Sequence, residues 1–253
     1  MDDTLTGAMR DKMLAGFLDF DGALYNGNLS IDFIRHLSEC GLYDRKLLNA
    51  ILKAGELCKK GAISYQTFRS AGIALWAEGM RGKRVEHIER AAESMLPVFK
   101  GNIYSSSYKL ISALESNGYL PIIVSVGIFE VNSVAARELN VKMLYGTVAE
   151  RDNGIYTGRI ASNIHLPEGK SEILDSLTSG IDMSRSFAFS DSMADVGMLE
   201  KVGIPVVLNS TDSVKNIALE RGWTVASHEN VLKEVIGLIR KDRENARTKS
   251  KAN

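Results

Sequence analysis

The sequence predicts an α/β fold: a doubly wound parallel sheet that carries an inserted all-helical domain. Over most of the chain, short apolar runs of strand length alternate with helical patterns, which indicates parallel strands joined by helices. Residues 28–97 depart from this alternation, because their apolar positions recur only at helical spacing. We therefore divide the chain into a core of residues 1–26 and 98–253 and a helical domain of residues 27–97.

Boundary residues mark the first strand and the helices of the insertion. Leu14–Phe20 is an apolar run that ends in acids and meets Gly22, as expected for a buried strand that opens into a turn. From Ser30 onward the apolar period becomes that of a helix. The predicted limits of the helices are Gly41 after the first, Asp44 and Ser64 as N-caps of the second and third, and Pro97 after the fourth.

Beyond Pro97, strands and helices alternate to the end of the chain. The sequence Asp152-Asn153-Gly154 predicts a hairpin between the segments on either side of it, because a tight turn needs positive φ angles. The predicted strands are Leu120–Val124, Met143–Val148, Ile155–Ile160, Ser186–Phe189, Pro205–Leu208 and Trp223–Ala226. The predicted helices contain Leu110–Leu114, Val131–Leu139, Lys170–Leu177, Met193–Leu199, Val214–Leu219 and Val231–Leu238.

Composition argues against several classes of protein. The 31 Lys+Arg balance the 31 Asp+Glu, so the chain lacks the positive charge of a nonspecific nucleic-acid binder. The acidic N-terminus does not resemble a secretory signal, and no apolar stretch reaches the ~20 residues of a membrane span. The two cysteines lack metal-ligand spacing. We expect a soluble, cytoplasmic protein without nucleic-acid or membrane partners, whose basic tail after Arg240 is a solvated, frayed terminus.

Two pairs of aspartates follow predicted strands. Asp19 and Asp21 end the first strand, and Asp191 and Asp195 follow the strand Ser186–Phe189. Open α/β sheets bind ligands at the carboxyl ends of their strands, so these side chains are expected to converge. Close carboxylates repel and need a cation or a shared proton. Taken alone, the first pair also fits an acidic loop, and the second fits a helix cap with Asp191 or Ser192 as the capping residue.

Groups suited to an oxyanion lie at two further ends of elements. Ser125, Val126 and Gly127 follow the strand Leu120–Val124 and offer a hydroxyl and backbone N–H groups at a helix start. Lys170 opens another helix and adds a positive charge suited to phosphate. Taken alone, Ser125 also fits a plain helix cap. Combined with the aspartates, these groups predict a site for Mg²⁺ and a phosphate-type anion.

Four short motifs, in chain order, resemble those of the haloacid dehalogenase (HAD) superfamily. They are Asp19-Phe20-Asp21-Gly22, Ser125, Lys170, and Ser190-Asp191 with Asp195. The helical insertion after the first motif resembles the C1 cap of the phosphoserine-phosphatase-like branch. The resemblance covers nearly the whole chain and implies a HAD-like Rossmannoid core with a C1-type cap.

The resemblance also implies a role for each matching residue. Asp19 would be the nucleophile that takes the phosphoryl group, and Asp21 would protonate the leaving oxygen and then activate water. The remaining implied roles are phosphoryl binding by Ser125 and the N–H groups of Val126 and Gly127, neutralisation of nucleophile and phosphate by Lys170, and Mg²⁺ ligation by Asp19, the Asp21 carbonyl and Asp191, with Asp195 steadying the metal shell.

The carboxylate of Asp21 favours a phosphatase or phosphomutase, since the dehalogenases that resemble this fold lack it. The implied activity is a Mg²⁺-dependent phosphomonoester phosphatase that acts on a small phosphorylated metabolite through an aspartyl-phosphate intermediate. A phosphomutase or phosphotransferase on the same fold, and a catalytically weak phospho-ligand-binding protein, are the alternatives.

Three residues depart from the patterns that this resemblance implies. Ala23 stands where the family usually has Thr, Ser or Val. Asn28 and Gly72 stand where phosphoserine phosphatases have an acid for the substrate amine and an arginine for its carboxylate. Phosphoserine is therefore disfavoured, unless Arg69 or Arg81 substitutes from a neighbouring turn. The polar candidates for substrate selection are Asn28, His36, Arg69 and Arg81.

Overall fold

The computed structural model describes residues 12–252, and the side chains as far as Thr248. Residues 1–11 of the predicted core lie outside this range. The elements in chain order are β1 (Leu14–Leu18), α1 (Leu29–Glu39), α2 (Arg45–Lys59), α3 (Tyr65–Met80), α4 (Val85–Ser94), α5 (Leu96–Asn102), α6 (Ser105–Ser116), β2 (Tyr119–Ile128), α7 (Phe129–Glu138), β3 (Met143–Thr147), β4 (Ala149–Asp152), β5 (Ile155–Ile160), α8 (Gly169–Leu177), β6 (Phe187–Ser190), α9 (Val196–Leu199), β7 (Ile204–Leu208), α10 (Asp212–Glu220), β8 (Thr224–Ala226) and α11 (Val231–Ala252).

Six parallel strands form the main sheet in the order β3-β2-β1-β6-β7-β8. From the central strand β1 the chain first builds β2 and β3 on one side, and later β6, β7 and β8 on the other. Neighbouring residues of β1 point to opposite faces, so Phe17 and Leu18 belong to two different hydrophobic clusters. The predicted doubly wound sheet is confirmed, and its topological switch point lies beside the carboxyl end of β1.

The insertion after β1 is helical, as predicted. Asp44 and Ser64 cap α2 and α3, because their side chains accept hydrogen bonds from the backbone N–H groups of Lys46 and Thr67. The sequence pattern did not predict helix α5, because Pro97 fits the end of the preceding helix. Pro97 instead lies in the first turn of α5. Backbone N–H groups in this turn have no partner within the helix, so the N–H that proline lacks is not needed there. The predicted domain boundary falls within α5, and the division into core and cap stays a prediction.

The hairpin around Asn153 and Gly154 is confirmed, with φ angles of 48° and 78°. Its strands are β4 and β5. The segment predicted to pair with β5, Met143–Val148, instead forms β3 and pairs with β2 in the main sheet, and the strand that pairs with β5 is the following one, β4. The hairpin also contacts the connection between α3 and α4. Gly82 N–H donates to the Tyr156 carbonyl, and Tyr156 N–H donates to the Lys83 carbonyl, both at 2.9 Å. These bonds tie the insertion to the core at a point distant from β1 in sequence.

The C-terminal helix α11 continues to Ala252, so the expectation of a frayed tail after Arg240 was wrong, whereas the expected exposure to solvent holds for most side chains of residues 241–248. Side-chain bonds hold its charged half against the core. Asp242 accepts a hydrogen bond from Arg185 Nη2 at 2.8 Å, and Arg243 Nη2 donates to the Asn117 carbonyl at 3.1 Å. Within residues 12–252 the structure contains no helix with both the length and the apolar character needed to cross a membrane.

Helix α8 begins against the backbone that precedes it. A Cβ atom on Gly169 would lie 2.4 Å from the Asn163 carbonyl oxygen and 2.5 Å from that of Ile164, so a side chain there must displace α8. We expect Gly169→Ala to lower the free energy of unfolding by about 1–3 kcal/mol, measured by urea denaturation. Gly180→Ala, whose Cβ would meet no described heavy atom within 4 Å, should stay within about 0.5 kcal/mol of wild type. Equal stabilities of the two variants would contradict this account.

Candidate active site

The residues predicted to carry the chemistry line one cavity at the carboxyl edge of the sheet. Its volume is about 330 Å³, which suits a small ligand. It lies where β1, β2 and β6 end and where α8 begins. The predicted residues that line it are Asp19, Asp21, Ser125, Val126, Gly127, Lys170, Asp191 and Asp195.

A buried lysine connects two of the aspartates. Lys170 Nζ donates to Asp19 Oδ1 at 2.5 Å and to Asp195 Oδ2 at 2.7 Å, and all three side chains are buried. Burial by itself lowers the pKa of Lys170, but the two carboxylates outweigh this effect and hold that pKa above its ordinary value. An ammonium group has three N–H donors. The third donor of Lys170 is therefore left for a ligand.

Asp195 is fixed by the loop that follows β6. Ser190 Oγ donates to Asp195 Oδ2 at 2.6 Å, so this oxygen accepts bonds from both the serine and Lys170. Ser192 caps the short 3-10 turn here by accepting a bond from Ala194 N–H, which confirms one of the alternatives for this segment. Asp191 is not the cap and lines the cavity instead.

Asp21 is attached to the first helix of the insertion. Its Oδ1 accepts a hydrogen bond from the Leu29 backbone N–H at 2.9 Å, at the start of α1. Burial raises the pKa of Asp21 to about 7, against the opposing effect of this bond. A carboxyl group that is partly protonated near neutral pH is suited to general acid catalysis.

Asp191 packs directly against the turn that follows β1. A Cβ atom on Gly22 would lie 2.1 Å from Asp191 Oδ2, and Gly22 has a φ of 83°, so both the contact and the backbone require glycine. Burial raises the pKa of Asp191 to about 6. One lysine faces the carboxyl groups of Asp19, Asp21, Asp191 and Asp195 in this cavity, and the excess of acids favours an added cation.

The hydroxyl of Ser125 has its proton available for a ligand. Gly127 N–H and Asn132 Nδ2 donate to Ser125 Oγ at 3.0 and 3.1 Å, which occupies the acceptor positions of the oxygen. The interpretation of Ser125 as a helix cap was wrong, because β2 continues to Ile128 before α7 begins. Since Gly127 N–H is bonded to Ser125, phosphate binding by the N–H groups of Val126 and Gly127 stays a prediction.

Sequence reasoning missed three residues that hold the segment around Ser125. Asn132 is fully buried and binds Ser125 from α7, where no motif marks it. Ser30 Oγ accepts a bond from Ile128 N–H at 2.9 Å, and Thr147 Oγ1 donates to the Val126 carbonyl at 2.7 Å. Thr147 ends β3, so the rule that ligands bind at strand ends was sufficient to find it.

The oxygen-rich lining fits Mg²⁺, although it is not a complete protein cage. Within residues 12–252, no group of three or more His, Cys, Asp or Glu side chains is arranged to hold a metal ion. The cavity lining nonetheless includes Asp19, Asp21 and Asp191. Mg²⁺ in proteins typically takes one or two carboxylates and completes its shell with phosphate and water oxygens. The donor chemistry therefore suits Mg²⁺ bound together with a phosphate.

Two of the four polar candidates for substrate selection line the cavity. Asn28 does so, but its side chain accepts the Ile31 N–H bond at 2.9 Å as the N-cap of α1. Arg69 also lines the cavity. His36 and Arg81 do not belong to the lining: His36 Nε2 lies 2.7 Å from Ser94 Oγ, and the exposed Arg81 binds Glu78.

The comparison with protein families identifies the chain. The haloacid dehalogenase-like hydrolase family matches residues 17–200, so the chain belongs to this family. This confirms the family that the motifs indicated and the assignment as a phosphatase enzyme of that family.

Individual relatives agree with this result. The chain is 28% identical to the phosphoserine phosphatase SerB1 of Mycobacterium tuberculosis over 222 residues, which cover 85% of this chain and 71% of that protein. It is 28% identical over 215 residues to the inhibition of morphological differentiation protein of Streptomyces azureus, with coverages of 83% and 77%. A Bordetella pertussis protein of unknown function has a similar structure, with a TM-score of 0.70, 21% identity and coverages of 86% and 99%. A phosphoserine phosphatase solved as a phospho-aspartyl intermediate analogue has a TM-score of 0.61 and 18% identity, and the match covers 89% of this chain and 98% of that chain.

The buried lysine should be essential for stability as well as chemistry. Lys170→Met leaves two buried carboxylates without their cation, so we expect the free energy of unfolding near pH 8, without divalent cations, to fall by about 3–5 kcal/mol. Lys201→Met is the matched control, because it breaks an exposed pair with Asp175 of similar length, 2.7 Å. Its effect should be about 0–1 kcal/mol.

The pH dependence of the Lys170→Met penalty provides a second check. Burial and the charge of Asp195 already hold the pKa of Asp19 above its ordinary value, against the opposing effect of Lys170. Loss of the ammonium group removes that opposing effect and raises this folded-state pKa further, so stability is lost as the pH rises through it. The penalty should therefore shrink when the denaturation is repeated near pH 6. If Lys170→Met and Lys201→Met lowered the free energy of unfolding equally at both pH values, this would contradict a charge-based role for Lys170.

Proposed function

We propose that this chain is a Mg²⁺-dependent phosphomonoester phosphatase that acts on a small phosphorylated metabolite through an aspartyl-phosphate intermediate. The observation that carries the proposal is the bond of 2.5 Å between Lys170 Nζ and Asp19 Oδ1, which stabilises a carboxylate nucleophile inside a cavity suited to a small ligand. Asp21, with a pKa raised to about 7, lines the same cavity as the proton donor. Relatives named phosphoserine phosphatases support the reaction class.

In the first step, an oxygen of Asp19 attacks phosphorus as the bond between phosphorus and the alcohol oxygen breaks. Asp21 gives its proton to the departing alcohol. The Ser125 hydroxyl and the third N–H of Lys170 donate to the phosphoryl oxygens, whose charge they stabilise. Asp19, the Asp21 carbonyl and Asp191 would hold Mg²⁺, which would supply further positive charge at the phosphoryl group.

In the second step, water releases the phosphate. Asp21, now a carboxylate, takes a proton from the water whose oxygen attacks phosphorus, and the bond from phosphorus to Asp19 breaks. Inorganic phosphate leaves, and both carboxyl groups return to their starting states. Residues 27–97 act in this scheme as a cap that excludes bulk water from the reacting charges.

Two further observations support an active enzyme of the cytoplasm. Ala23, the departure in the first motif, is fully buried and does not belong to the cavity lining, so the missing hydroxyl leaves the reacting surface unchanged. Cys40 and Cys58 are both free thiols, which fits a reducing compartment.

Substitution of Asp21 should separate the two steps. The leaving group of p-nitrophenyl phosphate departs without a proton, so the Asp21→Asn variant should still transfer the phosphoryl group to Asp19. The variant lacks the base that activates water, so hydrolysis of the phosphoenzyme should slow by about 10²–10⁴-fold. We expect a burst of about one nitrophenol per active site, followed by near-arrest. Peptide mass spectrometry after acid quench should place the phosphoryl group on Asp19.

Two controls accompany this experiment. Asp19→Asn should give neither burst nor phosphoprotein, and removal of Mg²⁺ with EDTA should abolish the burst of Asp21→Asn. Equal losses of activity on aryl and alkyl phosphates, with no trapped phosphoprotein, would assign Asp21 a structural role and contradict the proposed sequence of steps.

A further inference from the structure

The catalytic cavity extends from the aspartates to the helical insertion, and this distal part is apolar. Helices α1, α2 and α3 contribute its walls. The apolar side chains that line it are Ile31, Ile34, Ile51, Phe68, Ile73 and Trp76. A phosphorylated substrate that places its phosphate beside Asp19 must direct its alcohol part toward these side chains.

Among the residues that the structure describes, none in the distal part can pair with an ammonium group. The acidic residues of the lining are Asp19, Asp21, Asp191 and Asp195, which surround the phosphate site. Asn28, which stands where the resemblance places an acid for the substrate amine, uses its side-chain oxygen to cap α1. A buried ammonium group without a carboxylate is strongly unfavourable. The lining therefore disfavours amino alcohols.

One wall of the distal part has space for a larger group. Arg69, Gly72 and Trp76 lie three and four residues apart on α3, so they share one face of the helix. Apart from its chain neighbours and its own helix backbone, a Cβ atom on Gly72 would meet no described heavy atom within 4 Å. The missing side chain thus leaves room between the arginine and the tryptophan.

One positively charged side chain, that of Arg69, lines this part of the cavity. Arg69 and Trp76 are 9% and 1% exposed, and Arg69 Nε and Trp76 Nε1 have no hydrogen-bond partner among the described residues. Arg69 Nη2 donates to Gln66 at 2.6 Å, which fixes the guanidinium group. Buried donors are costly when unpaired. Both nitrogens are closed to a water-sized molecule, so a ligand does not reach them. An oxygen acceptor on the ligand would instead be favoured by the positive charge of Arg69, which lines the cavity.

From these observations we propose that the substrate is the phosphate ester of a predominantly apolar alcohol that carries an oxygen acceptor at its distal end and no ammonium group. This inference rests on the phosphatase function proposed above. It differs from the substrate named for the phosphoserine phosphatase relatives, because the wall that faces the alcohol is apolar and Gly72 widens it.

A panel of primary alkyl phosphates tests the proposal, since their leaving groups have comparable reactivity. We would measure kcat/KM by phosphate release for ethyl, hexyl and 2-phenylethyl phosphate, 6-phosphonooxyhexanoate, phosphoethanolamine and O-phosphoserine, with p-nitrophenyl phosphate as reference. The apolar esters should exceed ethyl phosphate by about 10- to 200-fold, and both amino alcohol esters should rank below them. O-Phosphoserine at the top of this ranking would overturn the inference and leave the phosphatase function intact.

Variants of α3 locate the selectivity. Gly72→Leu fills the open wall, so it should lower kcat/KM for 2-phenylethyl phosphate relative to ethyl phosphate by about tenfold or more, mainly through KM. Gly237→Leu is the matched control, because this exposed helical glycine also has no described atom within 4 Å of its Cβ position. Arg69→Met should reduce the preference for 6-phosphonooxyhexanoate over hexyl phosphate. Unchanged ratios in both α3 variants would contradict the assigned wall.

Binding without turnover separates this inference from the proposed function. Titration calorimetry of the metal-free wild-type protein with the same esters should give the same ranking, with apolar esters bound more tightly than O-phosphoserine. If no ester and no p-nitrophenyl phosphate were hydrolysed, the phosphatase function would fail, while this binding order would still support the apolar site. A preference for the amino alcohol esters in calorimetry would reject it.

Discussion

The ammonium group of Lys170, bonded to Asp19 at 2.5 Å and Asp195 at 2.7 Å, joins three distant parts of the chain. Asp19 follows β1, Asp195 follows β6, and Lys170 lies in the first turn of α8. Buried charges are tolerated when they are paired with good geometry. The parallel sheet provides that geometry, because the carboxyl ends of β1 and β6 are adjacent. The position of α8 against the 163–164 backbone completes it, and Gly169 allows this close approach.

Three side chains of the site, Lys170, Ser125 and Asp21, each keep one function that contacts within the protein do not use: a hydrogen-bond donor, a hydroxyl proton or a titratable proton. Lys170 uses two of its three donors, and Ser125 accepts two bonds but keeps its own proton. Asp21 accepts the Leu29 N–H bond and has a pKa raised to about 7 by burial. The site is therefore oriented by the protein before a phosphate enters, which is the condition under which electrostatic stabilisation contributes most to phosphoryl transfer.

Sequence patterns were sufficient for the features that depend on local order. The aspartates lie at strand ends, and the hairpin has an Asn153-Gly154 turn, so short-range rules located them. Features set by tertiary contacts were missed. Pro97 is compatible with either the end or the start of a helix, and the extension of β2 to Ile128 depends on contacts with Ser30 and Thr147. An apolar helical face also looks the same in sequence whether it meets a core or a cavity, so the walls around Gly72 required the structure.

The covalent role of Asp19 is the central claim, and the stereochemical course at phosphorus tests it most directly. Each in-line displacement inverts the configuration at phosphorus. Transfer to Asp19 followed by attack of water involves two displacements, so hydrolysis of a phosphate ester made chiral with oxygen isotopes should proceed with retention. Inversion would show that water attacks the substrate in a single step and would contradict the aspartyl-phosphate intermediate.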